Sequence, residues 1–272
     1  MKKRQVALHI FLSIGLVFLL FPLLWTLLSS LEHPSHALSF PQSLIPQFDL
    51  GNYLEAWQAA PWLHYFANTL FIATSTTLLV LLTSLPAAYT FSTLRFRGRD
   101  WLFGLVLLVL LVPSELALVP QYLLFADLHW INTYAVQILP WGASAFGIFL
   151  LRQFLLSLPR ELLEAARLDG AGELAVLRYI VAPLVRPALV TLGVYVFLGA
   201  YNSFLWPLIV TNGDRVRPIE VGLAAFQSAN GTAFTELSAA AIFTTLPVIF
   251  LFLLAQRQIV ESVSRTGSQG IS

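Results

Sequence analysis

Residues 157–183 read SLPRELLEAARLDGAGELAVLRYIVAP and form a charge-bearing island in an otherwise apolar chain. Seven charged residues lie between Arg160 and Arg178. Glu161 and Glu164 lie near the start of a predicted short helix, where the helix dipole favours acidic groups. Gly170 suits a helix stop with positive φ, and a second short helix is expected from about Gly172 to Val181. The stretch therefore predicts a helix–break–helix pair that ends at Pro183.

Apolar runs surround this island on both sides. The 272-residue chain is 57% hydrophobic and 11% charged, whereas soluble domains carry about 25% charged residues. About 20 apolar helical residues cross a bilayer. The sequence therefore predicts an all-α, polytopic membrane protein with one transmembrane domain over residues 1–272 and six spans, at about 7–28, 68–94, 101–125, 134–156, 184–211 and 237–256.

The basic residues are distributed very unevenly between the two sides of such a protein. Cytoplasmic loops of membrane proteins carry an excess of Lys and Arg. With both termini and the 157–183 loop inside, only Arg215 and Arg217 of the fifteen Lys and Arg residues lie outside. We therefore expect both termini and the loop on the cytoplasmic side of the membrane.

Several classes of chemistry lack the residues they require. The chain has no cysteine, and its five histidines show no His-Glu-x-x-His spacing, so we expect neither a metal site nor a catalytic centre. Lys2 and Lys3 are the only lysines, which excludes a P-loop. If ATP drives this protein, another chain binds it. On physical grounds alone, the 157–183 loop is equally well an ordinary connecting loop on the membrane surface.

The spacing within the loop resembles a known family. Glu164-Ala165-Ala166, three residues, Gly170, nine residues, Ile180, one residue and Ala182-Pro183 is similar to the signature loop of bacterial ABC importer permeases. The sequence departs from that signature at Ala182, where leucine is usual. ASAFGIFLLRQF at 143–154 and YNSFLWP at 201–207 look like the carbohydrate-uptake subgroup. The chain is similar, over about residues 5–262, to the second permease of maltose-type importers.

The resemblance implies partners and a role for the loop. By this resemblance, the 157–183 loop would be a cytoplasmic pair of coupling helices that lies in a groove of the ATPase. The implied partners are a second permease subunit in a heterodimer, two cytoplasmic ATPase subunits that hold ATP and Mg, and an external or periplasmic solute-binding protein. The lipid bilayer surrounds this chain, which itself binds no cofactor, and no nucleic acid is expected. The coupling residues would be Glu164, Ala165, Ala166, Asp169, Gly170, Ile180 and Pro183.

Candidate solute-pathway residues come from polar and aromatic groups inside the spans: Glu115, Trp141, Tyr201, Asn202 and Trp206. Glu115 could line a path or pair with a neighbouring helix. The tryptophans could instead anchor the interface, and Asn202 could make an interhelical hydrogen bond.

The leading hypothesis is a non-enzymatic permease subunit that translocates a sugar or sugar-like solute. An ion-coupled secondary transporter is the alternative, but such a protein needs buried ion-binding groups, usually in repeated halves, and only Glu115 qualifies. An intramembrane hydrolase needs a catalytic constellation at membrane depth, and the histidines do not converge on one.

Overall fold

The computed structural model describes residues 2–33, 47–230 and 234–268, and these residues contain helices but no strand. They fall into two compact units, residues 1–64 with 221–250 and residues 65–220 with 251–272. In chain order the helices are α1 (Lys2–Ser30), α2 (Gly51–Gln58), α3 (Trp62–Thr93), α4 (Arg99–Val109), α5 (Leu118–Asp127), α6 (Tyr134–Ile138), α7 (Ala145–Leu156), α8 (Arg160–Leu168), α9 (Glu173–Ala175), α10 (Ala182–Leu184), α11 (Arg186–Tyr201), α12 (Leu205–Val210), α13 (Ile219–Asn230) and α14 (Phe234–Ser268). Two 3₁₀ turns, Ser114–Ala117 and Leu139–Trp141, and a π-helical stretch, Val176–Val181, complete the list.

Among the described residues, two helices could cross a membrane without a break. Leu8–Ser30 and Trp62–Thr93 are both long and apolar enough. The sequence predicts an interruption at Pro86, but α3 continues through it. Proline is tolerated inside apolar helices when neighbouring groups satisfy the freed carbonyl. Phe234–Phe250 is a shorter apolar helix within the described residues.

Two stretches that were expected as continuous spans, 101–125 and 134–156, are bent pairs instead, and a third bent pair joins the second half of the 157–183 loop to the fifth predicted span. The bends are 89° between Arg99–Val109 and Ser114–Asp127, 41° between Tyr134–Trp141 and Ala145–Leu156, and 80° between Glu173–Leu184 and Arg186–Tyr201. A proline lies at or next to each of the three bends. Proline favours such a bend because it lacks an amide hydrogen and restricts the backbone of the residue before it. Counting each pair as one span gives up to five candidate spans.

The fifth predicted span, 184–211, differs most from the structure. Pro183 was expected to end the second loop helix, yet it lies inside α10, and the chain bends at Val185 before Pro187. A second interruption at residues 202–204 separates α11 from α12.

The unit formed by residues 1–64 and 221–250 is held by polar and aromatic contacts. The buried Asn52 Nδ2 donates to the carbonyl oxygens of Ser30 (3.0 Å) and Glu32 (2.9 Å). The Trp62 ring packs edge-on against Phe226 and Phe243, with centroids 5.6 and 5.2 Å away. These contacts hold α2 against the end of α1, and the start of α3 against α13 and α14.

The core of the other unit lies where α3, α7, α8 and α11 meet. Its fully buried members are aliphatic residues from each of these elements and from the π-helical stretch, including Val80, Leu151, Val176, Val181 and Leu192. The sequence places Leu174, Leu177 and Val181 on one face of the second loop helix. Val181 is buried and Leu177 packs against the core, but Leu174 is 77% exposed. The π-helical stretch turns Val176, five residues before Val181, toward the core in its place.

Candidate functional site

An open cavity of about 790 Å³ lies within the unit formed by residues 65–220 and 251–272. Its wall comes from α3, the α4–α5 bend, the α6–α7 bend and the break between α11 and α12. The broken helices therefore build this cavity. In membrane proteins, backbone that departs from a helix is tolerated where it is buried in protein or lines a cavity.

The polar groups of the cavity wall are all uncharged. They are Thr76, Ser114, Gln137, Trp141, Ser144, Tyr195, Asn202 and Ser203. Apolar surface surrounds them, including Val80, Phe146 and Pro207. A pocket with apolar walls and a few oriented polar groups is typical of small-molecule sites.

Two buried polar atoms in the wall lack a partner among the described residues. Thr76 is 3% exposed and its Oγ1 has no hydrogen bond, and Gln137 is 2% exposed and its Oε1 has none. The other end of the Gln137 amide is fixed, because Nε2 donates to the Val216 carbonyl at 2.9 Å. Buried polar atoms are normally satisfied, so orphans mark a place where water or a ligand supplies the bond.

Of the five sequence-predicted pathway residues, the cavity brings together Trp141 and Asn202. Tyr201 and Trp206 are 1% and 3% exposed and lie outside the cavity wall. Trp206 Nε1 donates to the Val136 carbonyl at 2.8 Å, so its polar group is used to hold α12 against α6. Both side chains are therefore buried in the protein and do not face the cavity.

Glu115 is not inside a continuous helix as expected. It lies on the exposed 3₁₀ turn at the α4–α5 break, where Ser114 Oγ donates to its carboxylate at 3.1 Å. Its neighbour Ser114, rather than Glu115, lines the cavity. Thr76 and Gln137 were missed at the sequence level because a polar residue in an apolar helix does not reveal which face it occupies.

The 157–183 loop forms the second candidate site. The helix α8 ends in a Schellman motif, in which Gly170 N donates to the Arg167 carbonyl and Ala171 N to the Ala166 carbonyl, both at 3.0 Å. Gly170 has φ +84°, as its position predicts. Ser157, expected as a cap of this helix, instead ends α7 and donates to the Phe154 carbonyl.

The two sides of α8 differ in exposure. Leu163 and Ala166 are buried in the core of the chain, whereas Leu162 and Leu168 are 47% and 89% exposed. Glu164 and Ala165 share the exposed side. The chain therefore presents a mixed apolar and acidic surface there, and Ala166 sets how closely α8 approaches its own core. A polar cavity of about 550 Å³ separates part of α8 from the ends of α3 and α7.

A partly buried polar contact links the loop to α3. Arg167 Nε and Nη2 donate to Glu173 at 3.0 and 3.1 Å, across the Gly170 turn. Tyr89 OH also donates to Glu173. The Tyr89 hydroxyl and the Arg167 guanidinium lower the pKa of Glu173, so the carboxylate is ionised at neutral pH.

These features define a class: a helical membrane protein with an uncharged cavity among broken helices and a helix pair at one end. Comparison with solved structures gives the same fold. A bacterial ABC transporter involved in the import of the acidic polysaccharide alginate matches with a TM-score of 0.82 and 22% identity, covering 94% of this chain and 96% of the other.

The family model described as binding-protein-dependent transport system inner membrane component matches residues 80–265. The arabinooligosaccharides transport system permease protein AraQ of Bacillus subtilis is 33% identical over 98% of this chain and 96% of its own length. The diacetylchitobiose uptake system permease protein NgcG of Streptomyces coelicolor is 32% identical, over 94% and 86%. The sn-glycerol-3-phosphate transport system permease protein UgpE of Yersinia enterocolitica is 33% identical, over 94% of each.

The chain therefore belongs to the family of binding-protein-dependent transport system inner membrane components. It is a transport subunit and not an enzyme. The family also decides between the two kinds of transporter, because its members serve ABC importers and not ion-coupled carriers.

Proposed function

We propose that this chain is a permease subunit of an ATP-driven importer that takes up an uncharged sugar or sugar-like solute. The main observation that supports this proposal is the cavity of about 790 Å³, which has Trp141 and Asn202 in its wall and is lined only by uncharged side chains. An aromatic face offers apolar contact, and an amide both donates and accepts hydrogen bonds. Together they suit a ligand that has many hydroxyl groups.

Two of the three relatives are named for carbohydrates, but the solutes in the three names differ in charge. Arabinooligosaccharides and diacetylchitobiose are uncharged in water, whereas sn-glycerol 3-phosphate is an anion. An anion held away from water requires a positive partner. The uncharged wall therefore favours a neutral oligosaccharide for this subunit.

We infer one transmembrane domain with six spans: α1, α3, the two bent pairs over 99–127 and 134–156, α11 with α12, and the apolar part of α14. Both termini and the 157–183 loop would be cytoplasmic, and residues 211–218 would lie on the outer side, where a solute-binding protein docks. The uneven distribution of Lys and Arg in the sequence supports this orientation.

The 157–183 loop would connect this chain to its source of energy. The exposed side of α8, with Glu164, Ala165 and Leu168, would enter a groove of a cytoplasmic ATPase that binds ATP and Mg. Asp169 and Gly170 would set the turn. The full importer would hold a second permease subunit, two ATPases and an external binding protein.

Uptake by the reconstituted importer, with its binding protein, tests the proposal. Radiolabelled arabinotriose and sn-glycerol 3-phosphate serve as probes. We expect ATP-dependent uptake of the neutral sugar. Trp141→Leu should weaken it by about fivefold, since one aromatic contact contributes about 1 kcal/mol.

Trp101→Leu is the matched control, because Trp101 is 68% exposed and lies outside the cavity wall. Its uptake should equal that of the wild type. Equal losses in the two variants would contradict a role for the cavity, and uptake of the phosphate alone would contradict the neutral solute.

A further inference from the structure

The helix α3 is tied at both ends by the same kind of contact, a tyrosine that shares a carboxylate with an arginine. Near Thr93, Tyr89 OH donates to Glu173, and Arg167 Nη2 contacts both the Glu173 carboxylate and, at 3.3 Å, Tyr89 OH. Near Trp62, Tyr65 OH donates to Asp214 Oδ1 at 2.6 Å. Arg217 Nη1 donates to that oxygen at 2.7 Å and to Tyr65 OH at 3.3 Å.

Both tyrosines are buried, with 2% exposure for Tyr65 and 3% for Tyr89. Their acid and arginine partners come from loops that lie far apart in the chain. Glu173 and Arg167 belong to the 157–183 loop, and Asp214 and Arg217 to residues 211–218. Each triad therefore fastens one loop to one end of the same helix.

Near Trp62, two further side chains of α3 bond to the segment 211–218 or to Ile219, which follows it. Asn68 Nδ2 donates to the Arg217 carbonyl at 2.8 Å, and Thr69 Oγ1 accepts from Ile219 N at 2.8 Å. Tyr65, Asn68 and Thr69 have the i, i+3, i+4 spacing that places side chains on one helix face. A movement of this end of α3 must therefore displace the loop or break several hydrogen bonds together.

The helix between the two triads is continuous and long. Twenty-four residues separate Tyr65 from Tyr89, which at 1.5 Å per residue is ~36 Å. This exceeds the ~30 Å hydrocarbon core of a bilayer. One unbroken helix thus connects the two loops across the membrane thickness, whereas three other candidate spans are bent by 41° to 89°.

We propose that α3 transmits movement of the 157–183 loop to residues 211–218, and that Tyr89 and Tyr65 are the positioning residues at its two ends. This proposal rests on the proposed function, in which an ATPase moves the first loop and a binding protein meets the second. The cavity of about 550 Å³ beside α8 gives the loop room to move.

The two triads differ in geometry. Arg167 uses two nitrogens on two carboxylate oxygens, whereas Arg217 reaches Asp214 through Nη1 on one. Bidentate pairs are more directional, and the Tyr65 end is held by Asn68 and Thr69 in addition. Both ends of α3 are therefore fastened well enough to move with their loops.

Tyr89→Phe tests the inner end in the complete importer, reconstituted in lipid nanodiscs. Tyr179→Phe is the control, since Tyr179 lies in the same loop but is 70% exposed. The readouts are ATP hydrolysis, arabinotriose uptake in vesicles and amide hydrogen exchange of residues 211–218 with and without ATP and vanadate. Tyr89→Phe should hydrolyse ATP within twofold of the wild type, lose at least fivefold in uptake and lose the ATP-dependent exchange change at 211–218.

Tyr65→Phe tests the Tyr65 end of α3 separately from the Tyr89 end. It should lose uptake, while residues 157–183 still respond to ATP as in the wild type. If Tyr89→Phe fails to assemble, Glu173→Gln breaks the same triad by removing the carboxylate charge, at a side chain that is 50% exposed, and carries the same expectations.

A wild-type exchange response at 211–218 in Tyr89→Phe or Glu173→Gln would overturn the proposal, and so would equal losses in Tyr179→Phe. Failure of the proposed function looks different, because the wild-type importer itself would then show no ATP-driven uptake of the probe.

Discussion

Gly170 explains why the spacing in the loop is strict at the scale of single residues. In a Schellman motif the carbonyl of the third residue from the helix end accepts from the residue after the left-handed glycine. Here Ala166 is that residue and Gly170 the glycine, four positions later. The same Ala166 packs into the core. The spacing from Ala166 to Gly170 therefore fixes where α8 ends and how closely α8 packs on the core, while Glu164 and Ala165 remain exposed.

Gly170→Val should disable the importer without preventing insertion of the chain. A left-handed φ of +84° costs an L-residue about 1–2 kcal/mol and is worst for a β-branched one. The strain would displace the loop, so uptake should fall at least tenfold at an unchanged membrane level of the protein.

Gly172→Val is the control for this substitution. Gly172 has φ −70° and ψ 160°, which valine adopts freely, and a Cβ at either glycine meets nothing within 4 Å. Uptake should stay near the wild-type level. A comparable loss in Gly172→Val would show that bulk, rather than backbone strain, matters in this loop.

The sequence predicted some residues of the candidate sites better than others, for a physical reason. Gly170 was recognisable because its function is local, set by the backbone of one turn. Of the predicted pathway residues, Trp141 and Asn202 line the cavity, whereas Tyr201 and Trp206 are buried outside its wall. A role for any of them in the solute path stays a prediction. Which face of a helix borders a cavity depends on tertiary packing, and no local pattern records it.

At the scale of elements, the apolar runs predicted where helices occur but not their continuity. Pro86 leaves α3 intact, whereas Pro113, Pro140 and Pro187 lie at bends. The lost hydrogen bond is the same in each case. The surroundings differ: the bends at Pro113 and Pro140 lie beside the cavity-lining residues Val112, Ser114 and Trp141, whereas Pro86 is an exposed position of α3 outside the cavity wall.

Gly142 sets how closely the α6–α7 bend approaches α3. A Cβ at Gly142 would lie 2.3 Å from Leu79 Cδ2 and 2.8 Å from Leu79 Cγ. Thr83 Oγ1 also donates to the Gly142 carbonyl at 2.7 Å, which fixes this approach. Gly142→Ala should therefore destabilise the protein by about 1–3 kcal/mol through overpacking, measured as a lower melting temperature in detergent.

Gly104→Ala provides the comparison, because a Cβ there meets nothing within 4 Å and the residue lies inside α4. Alanine is the better helix former by up to about 1 kcal/mol, so the melting temperature should hold or rise. A stable Gly142→Ala would mean that Leu79 moves away at little cost and that the bend is not tightly packed.

At the scale of the whole molecule, the described residues enclose a cavity, and the sequence carries no P-loop that could bind ATP. Its two lysines stand at positions 2 and 3, outside any P-loop pattern. Family membership places it in importers that work with a binding protein. The described residues accordingly offer two functional regions, a cavity and a loop, and α3 is the continuous helix that contacts both.

The orientation of the chain can be measured directly because the sequence has no cysteine. Single cysteines at exposed positions then report one site each, with the unmodified chain as a blank. In right-side-out membrane vesicles, a membrane-impermeant maleimide should label Asn212→Cys at once. Ser157→Cys should be labelled only after the membrane is permeabilised, since the excess of Lys and Arg keeps its side in the cytoplasm. Both positions are exposed, so burial does not decide the result. Labelling of Ser157→Cys in sealed vesicles, with Asn212→Cys protected, would reverse the topology and remove the 157–183 loop from reach of any cytoplasmic ATPase.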